Sequence, residues 1–168
     1  MKNKLLFLLC IFTGSLVAKE EVQTSFPYVG FGLGPFPVLV PSFSAGYRTQ
    51  EGHHGADLSI YGSTLVFITE LKTSALYHYY FKPNLCSQFY IGGGFGMNAF
   101  LDKKFRPVFG KDTHVYLSPE FVFGKQYINE AGDTRFFQAQ ISWPTFPSDG
   151  HHRPFYMPLV VFSYGIGF

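Results

Sequence analysis

Residues 155–168 read FYMPLVVFSYGIGF. Tyr156, Val160, Phe162, Tyr164, Ile166 and Phe168 share one parity, while Ser163, Gly165 and Gly167 fall on the other. Side chains along a strand alternate between its faces, so this segment has one large apolar face and one small polar face. A strand in a soluble core explains the apolar residues but not the glycine and serine set between them.

The same alternation runs back through the chain. In TRFFQAQISW (134–143), Phe137, Ala139, Ile141 and Trp143 oppose Gln138, Gln140 and Ser142. In THVYLSPEFVFGKQ (113–126), Val115, Leu117, Phe121 and Phe123 oppose His114, Tyr116, Ser118, Glu120 and Gln126. Phe43, Ala45 and Tyr47 oppose Ser42, Ser44, Gly46 and Arg48; Ala56, Leu58 and Ile60 oppose Asp57, Ser59 and Tyr61. Val29, Phe31 and Leu33 oppose Tyr28, Gly30, Gly32 and Gly34. Helical periodicity is almost absent. The pattern predicts eight strands over 26–34, 41–49, 54–63, 71–82, 85–100, 113–126, 134–144 and 154–168. STLVFITELK (63–72) reads either as an extension of the third and fourth strands or as a loop. The second, fourth and sixth connections, QEGHHG, KPNL and YINEAGD, are short, and the others are expected to be mostly longer.

Composition agrees. Aromatics make up 20% of the 168 residues and charged residues 14%, against about 25% charged in ordinary soluble domains. Such a surface does not depend on charge. The first 18 residues, MKNKLLFLLCIFTGSLVA, place Lys2 and Lys4 before an apolar run and small residues, the layout of a secretory signal peptide. Cleavage is expected after Ala18, with 19–25 a short periplasmic segment and 26–168 the folded domain. Loss of Lys2 and Lys4 equalises the 13 Lys+Arg and 11 Asp+Glu, so nothing in the charge suggests nucleic acid. Cys10 would go with the leader, leaving Cys86 with no intramolecular partner. No segment after residue 18 has the roughly 18 consecutive apolar residues of a membrane helix. Membrane-crossing strands carry a much weaker hydropathy signal and stay open.

Eight such strands could close as a soluble barrel or as one set in lipid. If the apolar face pointed inward, its rings would overfill a small lumen and leave a glycine- and serine-rich surface with few charges. If it points to lipid, small and polar side chains fit the lumen, and closure leaves no backbone edge in hydrocarbon. Tyr47, Tyr77, Tyr79 and Phe81 near one set of strand ends, and Trp143 near the other, stand where interfacial girdles form.

On this pattern the chain resembles the small eight-stranded outer-membrane β-barrel proteins of Gram-negative bacteria, over 26–168. The sharpest shared motif is the last strand, with Val160, Phe162, Tyr164, Ile166 and the terminal Phe168. The resemblance implies an antiparallel up-and-down transmembrane barrel whose last strand is read by the barrel-assembly machinery. The glycine and aromatic texture also resembles secreted proteins of chlamydia-like bacteria. The expected role is structural support of the outer membrane, or surface recognition through exterior loops, as a monomer without cofactor or catalysis. The alternatives are a lipid A-modifying barrel enzyme and a soluble periplasmic barrel that binds an apolar ligand.

Four constellations bear on chemistry. GFGMNA (94–99) matches a dinucleotide fingerprint, but no helix pattern follows it, so its glycines read as strand packing. His114, Ser118 and Glu120 share a face, yet His114 and Ser118 stand four residues apart. That is about 13 Å along a strand, too far for a hydrogen bond. Glu120 is instead expected in a luminal polar network with Arg48, Asp57, Gln138 and Gln140. His53–His54 and His151–His152 read as polar turn residues, since neighbours in a strand point to opposite faces. LDKKFRPVFGKD (101–112) sets Lys103, Lys104, Arg106 and Lys111 against Asp102 and Asp112. As an exterior loop, it would suit lipopolysaccharide phosphates or an acidic partner.

Overall fold

In the computed structural model, residues 23–36, 39–64, 68–83, 86–102, 113–129, 132–143, 146–147 and 158–168 are described. They form β1 (Gln23–Phe36), β2 (Pro41–Glu51), β3 (His54–Thr64), β4 (Ile68–Tyr80), β5 (Ser87–Asp102), β6 (Thr113–Ile128), β7 (Thr134–Ser142), β8 (Phe146–Pro147) and β9 (Leu159–Gly167). Each long strand pairs antiparallel with its neighbour in sequence, and β1 pairs with β9. The result is a closed eight-stranded up-and-down barrel. The two-residue β8 is an addition beyond the eight, laid against Tyr116 and Leu117 of β6.

Several boundaries differ from the sequence reading. β1 begins at Gln23, opposite Glu51, inside the segment expected to precede the barrel. STLVFITELK extends β3 and β4, with Thr64 opposite Thr69, so the third connection is only 65–67 rather than a long loop. Alternation breaks in the apolar run Leu65–Ile68, and the luminal parity changes across it, from Ser63 on β3 to Glu70 on β4. Length asymmetry between the two ends therefore rests on the connections after β5 and β7. At the opposite end, β2 and β3 join through Gly52 and His53, with Gly52 at φ 54°. Two-residue hairpins need a positive φ of that kind. Residues 1–18, 103–112 and 148–157 lie outside the described residues, and with them the expected leader, the basic loop and His151–His152.

The parity seen in the sequence becomes inside and outside. Phe43 is 72% exposed, Leu58 and Ile60 62%, and Phe95 61%, all on the outer face. Arg48, Asp57, Lys72, Glu70 and Glu120 are buried in the lumen. The expectation of a small-residue lumen needs correction, because Phe26, Tyr80, Tyr90 and Phe136 also point inward and are buried, beside Tyr28 and Tyr61, which the alternation had placed on that face. They fit because glycines stand across from them. A Cβ on Gly165 would overlap the Phe136 ring, one on Gly167 the Phe26 ring, and one on Gly124 the Tyr90 ring. The glycine-rich face makes room for rings from neighbouring strands.

Candidate functional site

Arg48 stands on β2 directly opposite Asp57 on β3, and neither side chain is more than 2% exposed. Its Nε and Nη2 both lie 2.7 Å from Asp57 Oδ2. Nη2 also donates to Gln138 Oε1 at 2.8 Å, and Nη1 to the Tyr90 hydroxyl at 3.1 Å. Tyr28 donates its hydroxyl proton to Asp57 Oδ1 at 2.9 Å. The guanidinium carbon lies 4.0 Å from the Phe136 ring centroid and 5.0 Å from that of Tyr90. A buried charge is costly unless paired and hydrogen-bonded, and here the pairing comes with ring faces on the cation. Gln126 donates to Gln50 at 3.1 Å and Gln50 to Gln88 at 2.8 Å, so amides continue the network across the lumen. The group draws on β1, β2, β3, β5, β6 and β7. It fills the barrel at the short-turn end.

A second group lies toward the other end. Lys72 Nζ is 3.2 Å from Glu120 Oε1, and Gln140 donates to Glu120 Oε2 at 2.9 Å. Gln140 also reaches Ser74 at 3.4 Å, while Lys72 lies 5.1 Å from the Tyr61 ring centroid. Glu70 accepts from Ser63 at 3.4 Å, and Asn98 donates to Ser118. Gly96 leaves the space that the Glu120 carboxylate occupies, which is the packing role of a glycine from GFGMNA. That stretch lies wholly in β5. Beside the first group, His78 is fully buried with neither ring nitrogen hydrogen-bonded, its ring stacked on Tyr90 at 4.8 Å.

The expected network of Arg48, Asp57, Glu120, Gln138 and Gln140 is thus divided in two. Arg48, Asp57 and Gln138 share the first group; Glu120 and Gln140 belong to the second. Glu120 stands opposite Ser142 and Gln126 opposite Phe136, well apart along β6 and β7. Ser118 is engaged with Asn98 and Glu120 with Lys72, so these two do not meet as catalytic partners; the His114 side chain lies outside those described. His53 donates from Nδ1 to the Tyr80 carbonyl at 2.7 Å and stacks on Tyr79, while His54 Nδ1 meets the Tyr77 hydroxyl. On β9, Phe162 and Ile166 are exposed on the outer face and Val160 and Tyr164 half-buried; Phe168, just past its end, is exposed as well.

Sequence reasoning missed Lys72 and Glu70, and offered His78 only as a residue that could join His114, Ser118 and Glu120 from another strand. Their signal was present: Glu70, Lys72, Ser74, Leu76, His78 and Tyr80 alternate with Leu71, Thr73, Ala75, Tyr77 and Tyr79. Sequence reasoning set Tyr28 and Tyr61 on the polar face but missed Phe26, Tyr90 and Phe136, whose ring size alone does not say which face they take.

No family model and no curated protein matches the sequence. Solved structures do match the fold. One is Neisserial surface protein A, with a TM-score of 0.62 and 8% identity, covering 88% of this chain and 98% of that one. Another is the N-terminal β-barrel domain of Pseudomonas aeruginosa OprF, with a TM-score of 0.57 and 13% identity, covering 86% and 97%. The chain has the closed-barrel architecture of these proteins.

Proposed function

We propose that the chain is an integral outer-membrane β-barrel protein of a Gram-negative bacterium, with a structural or surface-recognition role and no catalytic activity. One observation carries this reading. Phenylalanine, leucine and isoleucine are most exposed where a soluble protein would place charges, and ion pairs are buried where it would place those residues. Only a hydrocarbon surround makes that inversion favourable. Tyr47, Tyr77, Tyr79, Phe81, Phe89 and Tyr127 crowd the outer face near the short-turn end, as an interfacial belt would. The charged lumen also speaks against a soluble carrier of an apolar ligand.

On this reading residues 1–18 direct export and the short turns face the periplasm. The outward row Val160, Phe162, Tyr164, Ile166 and Phe168 engages the assembly machinery, and Lys103, Lys104, Arg106 and Lys111 meet anionic groups outside the cell. Likeness of fold to a Neisserial surface protein supports the surface role. Membrane fractionation tests the proposal. The protein should sediment with outer membranes and migrate differently on gels before and after boiling. A chain that stays soluble without detergent would overturn it.

A further inference from the structure

The outer face carries cations at the short-turn end. Lys125 on β6 and Arg135 on β7 share the outward parity of Phe123, Tyr127 and Phe137. In the register Lys125 stands opposite Phe137 and Tyr127 opposite Arg135, so the two cations are diagonal neighbours, about 7–8 Å apart at the backbone. Lys125 Nζ lies 4.7 Å from the Tyr127 ring centroid and 4.9 Å from that of Phe89. Its head is thus held over the aromatic belt. Arg135 is exposed, and so is Lys82 after β4. Among the described residues, neither Lys125 nor Arg135 has a carboxylate partner; both ion pairs lie in the lumen. In the adjoining turn the Asp133 carboxylate accepts from Asn129 Nδ2 at 2.9 Å, and the Asp133 backbone N–H donates to Asn129 Oδ1 at 2.7 Å.

We infer that Lys125 and Arg135 form a binding site for the phosphate of an anionic phospholipid, with Phe89 and Tyr127 against its glycerol and acyl stem. The inference rests on the membrane reading above. A cation that faces lipid needs a counter-charge, and a headgroup phosphate is the anion a bilayer offers at girdle depth. Arginine's planar fork matches phosphate oxygens, and lysine supplies a point charge beside it. Because the short turns face the periplasm in that reading, the ligand is a phospholipid of the inner leaflet.

The test uses full-length protein delipidated and refolded in neutral detergent, offered equal amounts of phosphatidylglycerol and phosphatidylcholine of the same chain length. Native mass spectrometry counts the lipid retained. Wild type should prefer phosphatidylglycerol, and Lys125→Gln with Arg135→Gln should weaken its retention by about tenfold. Lys125→Arg with Arg135→Lys, which keeps both charges, should retain the preference. Heat-modifiable mobility reports that each variant is folded. Should the double glutamine variant fail to fold, Arg135→Gln alone serves, with a smaller loss expected. Equal retention by folded wild type and glutamine variants would overturn the lipid site and leave the barrel reading intact. So would displacement of the lipid by inorganic phosphate at matching concentration, which would mark a free-anion site. A chain soluble without detergent would instead remove the membrane reading itself.

Discussion

A guanidinium without exposed surface must be matched group by group, and Arg48 is matched by Asp57, Gln138, Tyr90 and the face of Phe136. Removing it would leave Asp57 buried with its counter-charge gone. Arg48→Met should therefore cost about 3–5 kcal/mol of stability, and Arg48→Met with Asp57→Asn clearly less. Urea unfolding in detergent, followed by Trp143 fluorescence, measures both; equal losses would mean the pair is not what holds the plug. A second residue-scale prediction concerns glycine. The Gly165 position is closed by the Phe136 ring. Gly165→Ala should cost about 1–3 kcal/mol, and Phe136→Leu in the same chain should recover part of it. Additive losses in that double variant would show the two positions to be uncoupled.

At the scale of the strand, the outward row of β9 determines where a charge can be tolerated. Phe162 lies mid-strand and Phe168 beyond its end. In the membrane reading, Phe162→Arg should cost about 2–4 kcal/mol and an arginine at Phe168 about 1 or less. Unfolding midpoints of the two variants check the gradient; equal costs would argue that β9 does not cross hydrocarbon. Phe168→Asp tests a different property, recognition during assembly. It should lower the amount of heat-modifiable barrel in outer membranes while the same variant still refolds in detergent. Strands were legible in the sequence because a two-residue period survives in each; Leu65–Ile68 interrupts it, which is why strand extension and loop are both open readings of 63–72. Which residues fill the lumen was less legible. Tyr90 and Phe136 differ from the outward Phe89 and Phe137 only by parity, and their fit depends on Gly124 and Gly165 in adjacent strands.

For the whole molecule, the plug around Arg48 predicts a sealed lumen. Eight strands leave room for side chains and little else, and here Tyr80, Tyr90, Phe136 and the glutamines take that room. Wild-type protein in planar bilayers should give no steady ion current, and a sustained open conductance would show that the plug does not close the barrel. The sequence by itself determined the all-β class, the eight strands and which side chains of a strand share a face, because side-chain direction in a strand depends only on parity; it did not show that Phe26, Tyr90 and Phe136 lie on the inner one. It also placed Arg48, Asp57, Gln138, Glu120 and Gln140 on the luminal face. The tertiary structure decided the partners. Arg48 meets Asp57 and Gln138 while Glu120 meets Lys72 and Gln140, because register and closure determine which luminal residues share a level. Lys125 and Arg135 are likewise separated in sequence and become neighbours only through the β6–β7 register. Parity is local, whereas level is a property of the closed barrel.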